Sequence, residues 1–218
     1  MTPLELAQHL ENTGNFVESL KIYREIYVQN PGDEDALLGI ANCALAMDVL
    51  PTALEFYVKL LICNHDNPWG YLGRAMVLFR YDQDERALSD VASAIALDNP
   101  ASALRIDVAA ALNESGYVRQ AFEALRPLRG THMEDGDFRA EGGFSAVALG
   151  RESEFSSLKD AFTRDAQDDP FYGMCLDAAA ARGGDLSAFE RLEGLSASDD
   201  ELACRASVLL DALVDGKK

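Results

Sequence analysis

Residues 33–66, DEDALLGIANCALAMDVLPTALEFYVKLLICNHD, and residues 67–99, NPWGYLGRAMVLFRYDQDERALSDVASAIALDN, decide how this chain folds. Ala41, Ala53, Tyr57 and Leu60 in the first stretch are answered in the second by Ala75, Ala87, Val91 and Ala94, each 34 positions later. Carried outward, the same step places a small residue at Ser19, Ala53, Ala87 and Ala121. It places a turn former at Gly14, Asp48, Asp82, Gly116, Gly150 and Gly184. The chain reads as one repeat array from end to end. A period of this length, with small residues where helices meet and a turn former between them, is the mark of stacked helix-turn-helix units.

The pattern resembles the tetratricopeptide (TPR) family. Its first copy is carried by Leu6, Ala7, Leu10, Gly14, Phe16, Ser19, Tyr23, Ile26 and Pro31, and its second by Leu37, Ile40, Ala41, Ala44, Ala53, Tyr57 and Leu60. Tyr71, Ala75, Leu78, Ala87 and Ala94 carry the third, and Val108, Ala109, Leu112, Gly116 and Ala121 the fourth. A fifth (Gly142, Gly143, Ala146, Gly150, Phe155, Leu158) and a sixth (Ala178, Ala180, Gly184, Phe189, Leu192) keep the spacing with a more divergent residue pattern. The resemblance implies an all-α fold, a superhelical array of about six helix-turn-helix units closed by a C-terminal capping helix. Each unit buries its apolar face only against its neighbours.

Composition fits a packed protein: 48% of the 218 residues are hydrophobic, unlike a disordered chain. The formal net charge of −18 repels a phosphate backbone, and no basic stripe offsets it, so no nucleic-acid partner is expected. The acidic groups Asp33-Glu34-Asp35, Asp168-Asp169 and Asp199-Asp200-Glu201 each precede an expected helix, where negative charge meets the positive end of the dipole. No apolar run approaches the roughly 20 residues of a membrane span, and Met1-Thr2-Pro3-Leu4-Glu5-Leu6 lacks the basic and apolar regions of a signal peptide. A soluble, cytoplasmic protein is the expectation. Cys43, Cys63, Cys175 and Cys204 have no paired spacing and read as reduced, buried thiols filling small core sites.

Helical steps of three and four place helix pairs over Pro3 to Thr13 and Phe16 to Gln29, Glu34 to Met47 and Pro51 to Cys63, and Trp69 to Tyr81 and Glu85 to Leu97. A fourth pair covers Ala101 to Ser115 and Val118 to about Leu125, where Pro127 breaks the last turn. Asn67-Pro68, Asn99-Pro100 and Asp169-Pro170 read as a cap followed by a first-turn proline. Residues 1–128 thus form four units, and 129–136, with Gly130 and Gly136, read as a linker-like joint. Residues 137–214 hold two divergent units (Asp137 to Leu149, Ser153 to Asp165; Phe171 to Ala181, Leu186 to Leu192) and a capping helix over Asp200 to Val214. Glu201, Arg205 and Asp211 give that helix a polar outer face, and 215–218 are a frayed tail.

Nothing in this pattern points to catalysis. His9, His65 and His132 fall in different units without ligands at metal spacing, and Cys63 beside His65 is too few donors for a site. Gly142-Gly143 and Gly183-Gly184 are explained by the repeat. No enzyme activity, metal or cofactor is expected, and function falls to the surface lined by the first helix of each unit. Three inward rows follow from the register: Leu4, Leu38, Leu72, Ile106, Ala140 and Met174; Gln8, Asn42, Met76, Ala110, Phe144 and Ala178; Glu11, Leu45, Phe79, Asn113, Val147 and Ala181.

The resemblance makes these rows informative, because TPR domains that clamp acidic C-termini fill them with Lys, Arg and Asn. Here they are mostly apolar. A partner with an apolar face, either a peptide or an amphipathic helix, is therefore expected against Leu38, Asn42, Leu45, Leu72, Met76 and Phe79, with Met76 adaptable in shape. Asn42 stands in a row where TPR proteins place an asparagine on the bound peptide's backbone. The chain would act as a non-catalytic adaptor or chaperone. The alternative is a structural scaffold whose same surface drives homo-oligomer formation or permanent docking. Residues 56–73 are also similar to the junction between second and third units in type III secretion translocator chaperones.

Overall fold

A computed structural model of the protein describes residues 1–98, 103–128, 135–157, 169–198 and 202–215. The described residues form an all-α, TPR-like helical array. The chain divides into two compact units, Met1–Asn99 and Pro100–Lys218.

The N-terminal unit contains α1 (Pro3–Asn12), α2 (Phe16–Gln29), α3 (Glu34–Ala46), α4 (Leu50–Cys63), α5 (Pro68–Arg80) and α6 (Asp84–Leu97). The C-terminal unit contains α7 (Leu104–Glu114), α8 (Val118–Leu125), α9 (Gly136–Ala148), α10 (Glu152–Ser156), α11 (Pro170–Arg182), α12 (Leu186–Ser196) and α13 (Ala203–Asp215). A short 3-10 turn over Arg126–Leu128 follows α8. Pro127 ends that helix as expected, since it can neither donate its N–H nor fit against the preceding carbonyls.

Helix starts recur with the repeat. Asp33 accepts a hydrogen bond from the Ala36 N–H at 3.0 Å, Asn67 from Gly70 at 3.0 Å, Asp135 from Phe138 at 3.1 Å and Asp169 from Phe171 at 2.9 Å. Each satisfies an orphan donor of the first turn. Helix-to-helix turns recur too: Gly14, Asp48, Asp82, Gly116, Gly150 and Gly184 all take positive φ, from 54° to 99°. The row of turn formers is therefore a row of left-handed residues that reverse the chain. Asn99-Pro100, Ala101 and the second helix expected over Ser153 to Asp165, beyond Ser157, lie outside the described residues.

The small-residue row is where paired helices touch. Ser19, Ala53, Ala87 and Ala121 are all fully buried, and Ser19 satisfies its hydroxyl by donating to the Ala7 carbonyl at 2.8 Å. A second contact repeats between successive pairs. The ring of Tyr23 lies on Gly39 and, 34 residues on, the ring of Tyr57 lies on Gly73, so closely that a Cβ on either glycine would fall inside 3.0 Å of ring atoms. The core of the N-terminal unit is built from these contacts.

Two expectations change, and the compact units divide elsewhere than at the linker-like stretch. The division into compact units falls at Asn99–Pro100, ahead of the fourth repeat, whereas the linker-like features lie at 129–136. The physical reason is that α8 packs on α9 across that stretch, and α7 packs on both α9 and α13; residues 129–134 themselves lie outside the described residues. Cys63 and Cys204 are exposed, unlike the buried Cys43 and Cys175. Arg205 does not face outward: it is buried, 9% exposed, against the first helices of the C-terminal unit.

Candidate functional site

In the N-terminal unit α1 touches α3 and α3 touches α5, which makes one layer of first helices. The predicted inward residues lie along it. Leu38 and Met76 are half-buried and pack together on the cluster that contains Leu45. Phe79 is also half-buried. Leu45 and Leu72 are buried, 7% and 3% exposed, so they support this surface from beneath. The structure thus divides the six predicted contact residues: Leu38, Asn42, Met76 and Phe79 retain accessible surface, and the other two belong to the floor.

Asn42 is held by a chain of polar contacts that sequence reading did not reveal. Tyr23 donates its hydroxyl to Glu11 Oε2 at 2.7 Å, and Asn42 Nδ2 donates to Glu11 Oε1 at 3.0 Å. Asn42 Oδ1 accepts from the Tyr57 hydroxyl at 2.8 Å. One carboxylate and one amide therefore tie α1, α2, α3 and α4 together. Burial raises the pKa of both tyrosines well above the usual phenol value; the Glu11 bond adds to this for Tyr23, and the Glu11 charge adds for Tyr57. The amide carries two N–H donors. One is used on Glu11, which leaves Asn42 fixed in orientation with a second donor to offer.

Further along, Arg74 makes a two-pronged pair with Asp90, Nε to Oδ2 at 2.7 Å and Nη2 to Oδ1 at 2.8 Å. That bond raises the guanidinium's pKa against the opposing effect of burial. Arg74 stands in the register of Leu6 and Ile40. The pair thus replaces an apolar core contact of the first two repeats with an ionic one.

The C-terminal unit treats its first-helix layer differently. α7, α9 and α11 are in contact in the same way, but α13 lies against all three. Phe144, Val147, Met174, Ala178 and Ala181, every one of them in a predicted inward row, are buried in one cluster with Ala206, Leu209 and Leu213 of α13. Arg205 lies beside the rings of Phe144 and Phe171, 5.4 and 5.1 Å from their centroids, while the two rings stack on each other at 6.1 Å. Its Nη1 donates to Glu141 Oε2 and its Nη2 to Glu141 Oε1, both at 2.9 Å, and Nη2 also reaches Glu114 at 3.1 Å. Burial opposes the charge, yet Glu141 and then Glu114 outweigh it and hold the Arg205 pKa above its ordinary value. One signal in the sequence pointed here: Gly39 and Gly73, each packed under a tyrosine ring, are followed in their register by the acids Asp107 and Glu141.

No group of His, Cys, Asp and Glu suited to a metal is found among the described residues. No helix among them is long and apolar enough to cross a membrane.

Solved structures share this architecture. The thermophilic TPR protein TTC0263 from Thermus thermophilus superposes with a TM-score of 0.65 at 22% identity, over 80% of this chain and 97% of that one. The fold is a tetratricopeptide-repeat array. MamA aligns with a TM-score of 0.53 at 15% identity, over 77% of this chain and 93% of its own. YrrB, described as a TPR protein with an unusual peptide-binding site, aligns at 0.51 and 15%, over 78% and 88%. No family model and no curated protein matches the sequence. In this TPR fold, residues 56–73 form the end of α4, a turn and the start of α5. Within this run Tyr57 lies on Gly73, the contact that Tyr23 and Gly39 make one repeat earlier.

Proposed function

We propose that the chain is a non-catalytic protein–protein interaction module that holds an apolar peptide or the apolar face of an amphipathic helix on the first-helix layer of its N-terminal unit. Leu38, Met76 and Phe79 are the apolar anchors, and Asn42 bonds the backbone of the bound segment. The observation that carries this reading is the contrast within α3 and α5. Apolar side chains stay half-exposed on the surface while Glu11 and Tyr57 fix the one amide among them. Such pre-orientation lowers the ordering cost of binding. YrrB, with the same fold and a peptide-binding site, lends support. An adaptor or chaperone in the cytoplasm is the role that fits.

Panning a displayed peptide library on the full chain tests the proposal. Selected peptides should be apolar or amphipathic, and Met76→Lys with Phe79→Lys should weaken them at least tenfold, since a buried anchor is worth about 2 kcal/mol or more. Peptides that ignore both changes overturn the site. If light scattering shows large homo-oligomers that Phe79→Asp dissolves, the same surface serves self-assembly instead.

A further inference from the structure

α13 begins at Ala203, 33 positions after the start of α11 at Pro170 and within one residue of the repeat step, so register makes it the first helix of a seventh unit. As such it should pack on α11 and α12, and it does. Its contacts with α7 and α9 go beyond that packing. They carry it across the first-helix face of its own unit.

The acidic receptor beneath it is built without it. Asn113 of α7 donates to Glu141 Oε2 at 2.8 Å, and Ser145 of α9 donates to Asn113 Oδ1 at 2.9 Å. Asn113 and Ser145 are fully buried, and the bond that orients the Glu141 carboxylate beside Arg205 comes from α7 and not from α13. Arg205 then adds a two-pronged bond to one carboxylate, a single bond to Glu114 and a place beside a stacked pair of aromatic rings. That geometry suits arginine and not lysine, whose ammonium is a point charge without a planar fork. A helix serving only to cap an array needs no buried charge of this kind. What α13 presents is a ligand-like signature: Arg205, then Ala206, Leu209 and Leu213, one, four and eight positions on.

We infer that the first-helix face of α7, α9 and α11 is a second partner site, which reads an amphipathic helix bearing an arginine followed by apolar residues one, four and eight positions later, and that α13 is its resident, displaceable occupant. The partner's helix replaces α13 by presenting the same side chains. This site is separate from the one proposed on α3 and α5, and each stands or falls alone.

The test uses a dye-labelled peptide of residues 202–215 and reads fluorescence anisotropy against the full chain and against its Arg205→Glu variant. The variant sets a carboxylate against Glu141 and Glu114, which expels α13 and leaves the receptor residues unchanged. In the parent chain the tethered helix competes at an effective concentration on the order of millimolar. The peptide should therefore bind the variant at least tenfold more tightly. Replacing arginine by lysine in the peptide should cancel that gain. Equal binding to parent and variant, with helicity retained by circular dichroism, overturns the inference. So does binding indifferent to the lysine change. Hydrogen exchange on the parent chain gives an independent check, should the variant fail to fold: α13 amides should exchange in a faster, separate step from those of α9 and α11. Exchange of all three only together would make α13 a fixed part of the core and overturn the inference as well.

Discussion

Gly73→Ala is the most telling single change for the packing of the N-terminal unit. In an ordinary helix interior the substitution stabilises by about 1 kcal/mol, because alanine loses less backbone freedom on folding. At Gly73 the added carbon would fall inside 3.0 Å of three atoms of the Tyr57 side chain, Cε1, Cζ and Oη. The ring is 1% exposed and its hydroxyl is bonded to Asn42, so it has nowhere to withdraw. Overpacking of this kind costs about 1–3 kcal/mol, and a rigid ring met at three atoms belongs near the upper end. Urea denaturation should show a net loss of about 1–2 kcal/mol. Two controls separate the clash from propensity. Gly173→Ala, also inside a helix but with no atom within 4 Å of the new carbon, should stabilise by up to about 1 kcal/mol. In a Tyr57→Leu background, Gly73→Ala should become neutral or stabilising. A Gly73→Ala chain as stable as its parent would refute the contact that defines the repeat stacking.

Ala87→Leu should cost about 1–3 kcal/mol by overpacking a fully buried helix crossing, while Ala87→Ser should be mild because Ser19 fills the equivalent place with its hydroxyl on a carbonyl; equal unfolding midpoints for Leu and Ala would break the alignment of repeats. Gly116→Ala should cost about 1–2 kcal/mol from left-handed strain alone, since φ is 81° and no atom lies near the new carbon. Thiol titration with an aromatic disulfide should show Cys63 and Cys204 reacting quickly and Cys43 and Cys175 slowly, because the latter two are buried and burial raises both thiols' pKa. Folding should also weaken in alkali. Tyr23, Tyr57 and Cys175 have folded pKa values raised above their ordinary 10.0, 10.0 and 9.0, so the stability they contribute is complete below pH 9 and lost as pH rises from there; a denaturation midpoint constant from pH 8 to 11 would contradict this.

The fold was legible because its rules are local and repeated. A cap at Asp33, Asn67 and Asp169, a left-handed turn at six positions and a small residue at Ser19, Ala53, Ala87 and Ala121 each follow from one short window of sequence, whereas the cap at Asp135 lies within the stretch read as a linker. The three rows along the first helices come from the same register. What the register could not show is which rows stay open. Covering of Phe144 and Met174 depends on where α13 travels after residue 198, and no periodicity encodes that path. Arg205 misled for a related reason: on a helical wheel a lone arginine reads as surface, and the carboxylates of Glu141 and Glu114, far earlier in sequence, turn it inward. The Glu11–Asn42–Tyr57 chain is likewise invisible to spacing: each member holds a register position, but they belong to three helices and nothing in the register says that they bond to one another.

The proposed site is tested most directly by amide NMR of the full chain titrated with a peptide selected on it. The account predicts shift changes concentrated on α3 and α5 around Leu38, Asn42, Met76 and Phe79, with the side-chain amide of Asn42 moving as its second N–H is engaged. Changes confined to α7, α9 and α11, or an Asn42 amide that does not move while the peptide binds, would contradict it.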